Sequence, residues 1–199
     1  MGTAMNRERN ACTIATANIG RGVDANSRFP QNVFIGEWLD FFFFDSDWMR
    51  DAEFVDQARA FLEAERGACA CLRNLDLSVT TATANTHQLL IHESTASSEY
   101  RLLLKGRSLG SGWLDGIERL ACASDSGEWC MYCEPANEIA VIAFRRQESV
   151  QRYRVPMSAF HAVRIEEAIG GPLSYGFSES VLSTQWRTDL LLAYAPRES

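Results

Sequence analysis

The pattern of apolar and polar positions places the start of ordered structure near Val33. Upstream, Met1 to about Gln31 is polar, rich in Asn, Thr and Ala, and interrupted by Gly20, Gly22 and Pro30. It reads as a polar tail, in part disordered, with at most one short strand around Thr13–Ala17. From Glu37 to Phe44 the signals conflict, because aromatic enrichment favours a strand while Glu37-Trp-Leu-Asp40 favours a short helix. Asp45 to Arg66 is the clearest helix. Trp48, Ala52, Val55, Ala58 and Leu62 recur at helical spacing, and Phe54 and Phe61 widen the stripe. Asp45, Ser46 or Asp47 is placed to cap its start. Gly67 is placed to end it, since glycine tolerates positive φ.

Further along, Ala68–Leu77 alternates as a strand does, and His87–Glu93 and Glu99–Lys105 read as two more strands, joined by the Ser/Thr-rich turn Ser94–Ser98. Trp113–Ala123 reads as a helix. Glu128–Glu134 and Glu138–Arg145 form a hairpin around Pro135-Ala136-Asn137. Pro156–Ile169 and Ser183–Tyr194 read as the remaining helices. The prediction is a single α+β domain over 32–199. It has a mostly antiparallel sheet of about five strands packed with three to four helices.

Four consecutive rings, Phe41 to Phe44, cannot all face one side of a strand or helix. Either a second layer covers the other face or the run meets a partner. Its flanks are acidic: from Glu37 to Arg66, nine carboxylates face three arginines, a net charge of −6 out of −7 for the chain. Arg145, Arg146, Arg152, Arg154 and Arg164 form an opposing basic group, and Lys105 is the only lysine. A pI of about 5.0 argues against direct nucleic-acid binding. No apolar run is long enough for a membrane span. Met1 to Gly20 lacks the apolar core of a secretory signal, so the expected compartment is the cytoplasm.

Six cysteines are an even number, which means little in a reducing compartment. Cys130 and Cys133 match C-x-x-C but lie in a strand, where positions three apart face opposite ways. Cys69 and Cys71 share a strand face and could add two ligands, yet buried structural cysteines are the better reading. His87 and His92 also fall on opposite faces, and His161 lacks any H-E-x-x-H context. No catalytic residue, metal or cofactor is therefore assigned. Lys105-Gly-Arg-Ser-Leu-Gly-Ser-Gly112 is glycine-rich and sits where a helix N-terminus could cradle phosphate. It lacks Gly-Lys-Ser/Thr, but Lys105, Arg107 and Ser111 are the candidate anion ligands. A small-molecule or phosphate-binding enzyme is the alternative reading.

Three features resemble the immunity proteins that bacteria keep beside polymorphic or contact-dependent toxins. They are the Glu37-Trp-Leu-Asp-Phe-Phe-Phe-Phe-Asp-Ser-Asp-Trp48 opening, the acidic helix to Gly67, and the hairpin Trp129-Cys-Met-Tyr-Cys-Glu-Pro…Glu138-Ile-Ala-Val-Ile-Ala-Phe144. The resemblance implies a cytoplasmic, non-catalytic protein that binds one cognate toxin, over its active site or beside it. Many such toxins are basic nucleases, against which acids stand in for substrate phosphates. The partner-binding candidates are Trp38, Asp40, Asp45, Asp47, Asp51 and Asp56. The phenylalanines then serve as the mount, and the acids from Asp45 to Asp56 as the working face.

Overall fold

The computed structural model describes residues 2–76, 87–106, 112–113, 117–170 and 183–195. Its centre is a six-stranded, wholly antiparallel sheet in the order β1-β6-β5-β4-β2-β3. The strands are β1 (Asp40–Asp45), β2 (Ala70–Asn74), β3 (Gln88–Ile91), β4 (Leu120–Ser124), β5 (Trp129–Glu134) and β6 (Ile139–Phe144). This is one strand more than expected. The hairpin of β5 and β6 turns through a 3-10 helix, Pro135–Asn137.

Every residue of β4, β5 and β6 is buried, so the sheet is covered on both sides. That resolves the phenylalanine run. Phe42 and Phe44 join one core, with Phe54, Phe61 and Phe160, while Phe41 and Phe43 join the opposite core, with Phe34 and Tyr194. Phe44 stacks on Phe160 at 4.8 Å between centroids, and Phe43 meets the edge of Tyr194 at 5.3 Å. β1 pairs with β6 over its whole length, placing Phe43 opposite Val141. On the outer side of β1, the Phe43 N–H donates to the Val163 carbonyl at 2.6 Å, and the Val163 N–H donates back at 2.9 Å.

Eight α-helices occur among the described residues: α1 (Gly2–Gly22), α2 (Asp47–Arg50), α3 (Phe54–Glu65), α4 (Ser97–Lys105), α5 (Gln147–Arg152), α6 (Arg154–Ala159), α7 (Ile165–Gly170) and α8 (Thr184–Tyr194). Side chains from α2, α3, α4 and α6 build one core, and side chains from α1, α7 and α8 build the other. No helix among these residues is long and apolar enough to cross a membrane.

Several expectations need correction. The polar N-terminal segment is a 21-residue helix and not a tail. Ala11, Ala15 and Ile19, with Val23 just past its end, recur every fourth position on its buried side, and the two small alanines let it lie close against the sheet. Asn18 Nδ2 donates to the Ser124 carbonyl at 2.8 Å, pinning the helix to the end of β4.

The helix expected over Asp45–Arg66 is two helices, split where Asp51 turns extended (φ −90°, ψ 145°). It stops on Arg66 rather than Gly67: Arg66 takes the left-handed conformation (φ 58°), and the Gly67 N–H reaches the Leu62 carbonyl at 2.9 Å. Glu99–Lys105 belongs to a helix, with Tyr100 and Leu104 buried one turn apart, and Leu120–Ser124 is a strand. Pro156–Ile169 is broken between α6 and α7, where His161 has φ 53°.

Candidate functional site

The loop after β1 and the helices that follow position the acids. Asp45 Oδ1 accepts from the Asp47 N–H at 2.8 Å, which turns the chain into α2. Desolvation raises the Asp45 carboxyl above its ordinary pKa, and it is half-buried. Asp51 Oδ1 accepts from the Glu53 N–H at 2.8 Å and guides the chain into α3. Met49, Phe54, Val55, Ala58, Phe61 and Leu62 face the core, so the opposite side of these helices points to water.

That outer side carries Asp47, Asp51, Glu53, Asp56 and Glu63, all exposed. Asp47 pairs with Arg50 at 3.3 Å, its side chain 78% accessible. Asp56 pairs with Arg59 and accepts from Ser97 Oγ at 3.3 Å, tying α3 to α4. Asp51, Glu53 and Glu63 have no cationic partner among the described residues.

Two of the six predicted contact residues are structural. Trp38 is buried beneath the Arg145 guanidinium, 4.1 Å from the ring centre, and its indole N–H donates to the Ile35 carbonyl at 2.9 Å. Asp40 is buried and binds Arg164 at 2.6 Å. Their neighbours Ile35, Glu37 and Leu39 are the exposed ones. Glu65, counted with the acidic segment, also turns inward. It accepts from Ser126 Oγ and the Tyr153 hydroxyl, each at 2.6 Å, and burial lifts its pKa. The basic group opposite is largely spent on structure: Arg152 binds Glu128 at 2.6 Å, and Arg145 reaches the Gly127 and Glu37 carbonyls.

Of the candidate anion ligands, Arg107 and Ser111 lie outside the described residues. Lys105 closes α4, and Gly106 after it has φ 69°. Gly112 has a packing reason to be glycine, since a Cβ there would lie 2.3 Å from the Leu104 carbonyl oxygen. Of the loop's three glycines, the two that are described, Gly106 and Gly112, are accounted for by the backbone without a ligand.

Cys130 and Cys133 are buried in opposite cores, as their strand spacing requires. A different set of soft ligands comes together. The sulfurs of Cys12 (α1) and Cys69 (just before β2) and a ring nitrogen of His92 (just after β3) all lie within 4.8 Å of one another. Cys12 Sγ is 3.5 Å from His92 Nε2. On the far side of the ring, His92 Nδ1 is 3.3 Å from the Ala68 carbonyl and 3.5 Å from Glu8 Oε1. In the tautomer protonated at Nδ1, that N–H faces two acceptors and the Nε2 lone pair faces Cys12 Sγ. Asp125 Oδ1 fixes this stretch of backbone by accepting from the N–H groups of Ala68 (3.2 Å) and Cys69 (3.4 Å). Burial, reinforced by Cys12, holds the Cys69 thiol far above its ordinary pKa. The three ligands stand on separate elements, 80 positions apart at the extremes, so no spacing in the sequence announces them.

No family model, no curated protein and no solved structure matches the chain.

Proposed function

We propose that the protein is a cytoplasmic, non-enzymatic binding protein of the immunity type, which neutralises a cognate cationic, nuclease-like toxin through the outer side of α2 and α3. One observation carries this reading: five exposed carboxylates lie along α2, α3 and the turn between them, which buried aromatic residues anchor to the sheet, and three of the five lack a cationic partner among the described residues. A field of one sign on a rigid support attracts an oppositely charged protein from solution and raises its association rate, on the order of 10- to 1,000-fold at low salt. The same carboxylates would occupy the groove of a nuclease that normally receives phosphates. Trp38 and Asp40 drop out of the contact set, since the fold uses them internally. Asp47, Asp51 and Asp56 remain its centre, with Asp45 at its margin.

The test is to read the reading frame directly upstream of the gene for a large secreted protein with a variable C-terminal domain, and to co-express that domain with this chain. Growth should survive with the wild-type chain and fail with the triple variant D47K/D51K/D56K. Arrest with both chains, or survival with both, would refute the assignment.

A further inference from the structure

We propose that Cys12, Cys69 and His92 form a binding site for a zinc-class divalent cation, with an open fourth position. Donor type, spacing and charge each support the site. Two thiolates and an imidazole are a borderline-soft ligand set; it suits Zn²⁺ and rejects Mg²⁺ and Ca²⁺, which take oxygen ligands. In a tetrahedral zinc site with Zn–S of about 2.3 Å and Zn–N of about 2.0–2.1 Å, sulfur and nitrogen lie about 3.5 Å apart and two sulfurs about 3.8 Å apart. Cys12 Sγ and His92 Nε2 already stand at 3.5 Å, with all three donors inside 4.8 Å. Closing on an ion needs shifts of only about 1 Å.

The surroundings are those of a ligating histidine. Metal-bound imidazoles hand their second N–H to a carbonyl or carboxylate, which fixes the tautomer and the ring plane. His92 has both, Ala68 and Glu8, at Nδ1. Loading the site releases the two thiol protons to solvent and leaves two thiolates balancing the dication. The ion and its two sulfur ligands together then carry no net charge, which limits the cost of holding them half-buried. Access comes from the solvent side: Cys12 and His92 are both partly exposed, and His92 borders a depression of about 570 Å³ shared with Thr95, Glu99 and Leu102. With three protein ligands, water completes the shell. Bridging α1, β2 and β3, the ion would anchor the N-terminal helix to the sheet.

The experiment is a Co²⁺ titration of the full chain, stripped with chelator and kept reduced with a phosphine. One equivalent should bind, with the intense visible bands of tetrahedral, thiolate-ligated cobalt, and Zn²⁺ should displace it. C12S and H92Q should abolish those bands, whereas C130S should keep them. E8Q, at an exposed position, should weaken binding about 10- to 100-fold through the ring it orients. Zn²⁺ should raise the melting temperature of the wild type and not of C12S. Absence of cobalt binding, or bands unchanged in C12S and H92Q, would overturn the site. So would an air-formed Cys12–Cys69 disulfide in a chain that takes up no metal when reduced. Because Cys12 and His92 are partly exposed, their variants keep the test decisive even if C69S fails to fold.

Discussion

The Val33 backbone N–H donates to the Tyr194 hydroxyl at 2.9 Å, across 161 positions of sequence. The same hydroxyl donates to the Gln31 carbonyl, also at 2.9 Å. One phenol therefore stitches α8 to the segment that enters β1. Tyr194→Phe keeps the ring contacts with Phe29, Phe41 and Phe43 but orphans the fully buried Val33 N–H. The expected cost is about 1–3 kcal/mol, read from urea denaturation.

Burial on both sides of the sheet makes a sharp claim about neighbours. Phe43 and Phe44 point into opposite cores, and both are fully buried. Phe43→Ala and Phe44→Ala should each cost about 3–5 kcal/mol in chemical denaturation. A single-layered sheet would leave one of the two close to neutral.

Asp47 and Asp51 carry the same charge on the same outer side, yet they do different work. Asp51 accepts the Glu53 N–H at the entry to α3, whereas Asp47 makes only an exposed pair with Arg50. Asp51→Ala should destabilise by about 1 kcal/mol. Asp47→Ala should stay within about 0.5 kcal/mol. Both should slow partner association at low salt, separating the electrostatic effect from the structural one. Thermal melts and stopped-flow association rates check the pair.

Glu65 gives a pH signature. Desolvation raises its pKa in the folded chain, outweighing the hydrogen bonds from Ser126 and Tyr153, so the folded state holds the proton longer than the unfolded chain does. The stability lent by protonated Glu65 is complete below the unfolded value, about 4.3, and is lost as pH rises through the elevated one. Glu65→Gln loses nothing in that window. Its stability relative to wild type should therefore climb with pH above about 4 and then level off, measured by urea denaturation at a series of pH values.

Much of the fold is legible in the sequence wherever one rule dominates. The hairpin of β5 and β6 announces itself by Pro135 and two apolar runs, and α8 begins at Ser183, whose hydroxyl accepts the Trp186 N–H at 3.2 Å. Misreadings cluster where a second layer removes the usual contrast. Leu120–Ser124 is buried on both faces, so it loses the alternation that marks a strand. Half of the stripe on α1 is alanine, too small to register as an apolar face until the sheet beneath it is known. At the acidic side the exposed members of α2 and α3 follow from helical spacing. Trp38 and Asp40 do not, because nothing local reveals the arginines, Arg145 and Arg164, that fold back over them from the far end of the chain. The Cys12–Cys69–His92 cluster is invisible for the same reason: tertiary contact alone assembles it.

The pairing of Val163 with Phe43 has a bearing on how this molecule keeps to itself. A bare outer strand is a template on which another chain can extend the sheet. Here the chain's own backbone occupies the midpoint of that margin, and Asp45 charges its end. Strand-by-strand extension of the sheet along β1 therefore meets a backbone pair already made at Phe43.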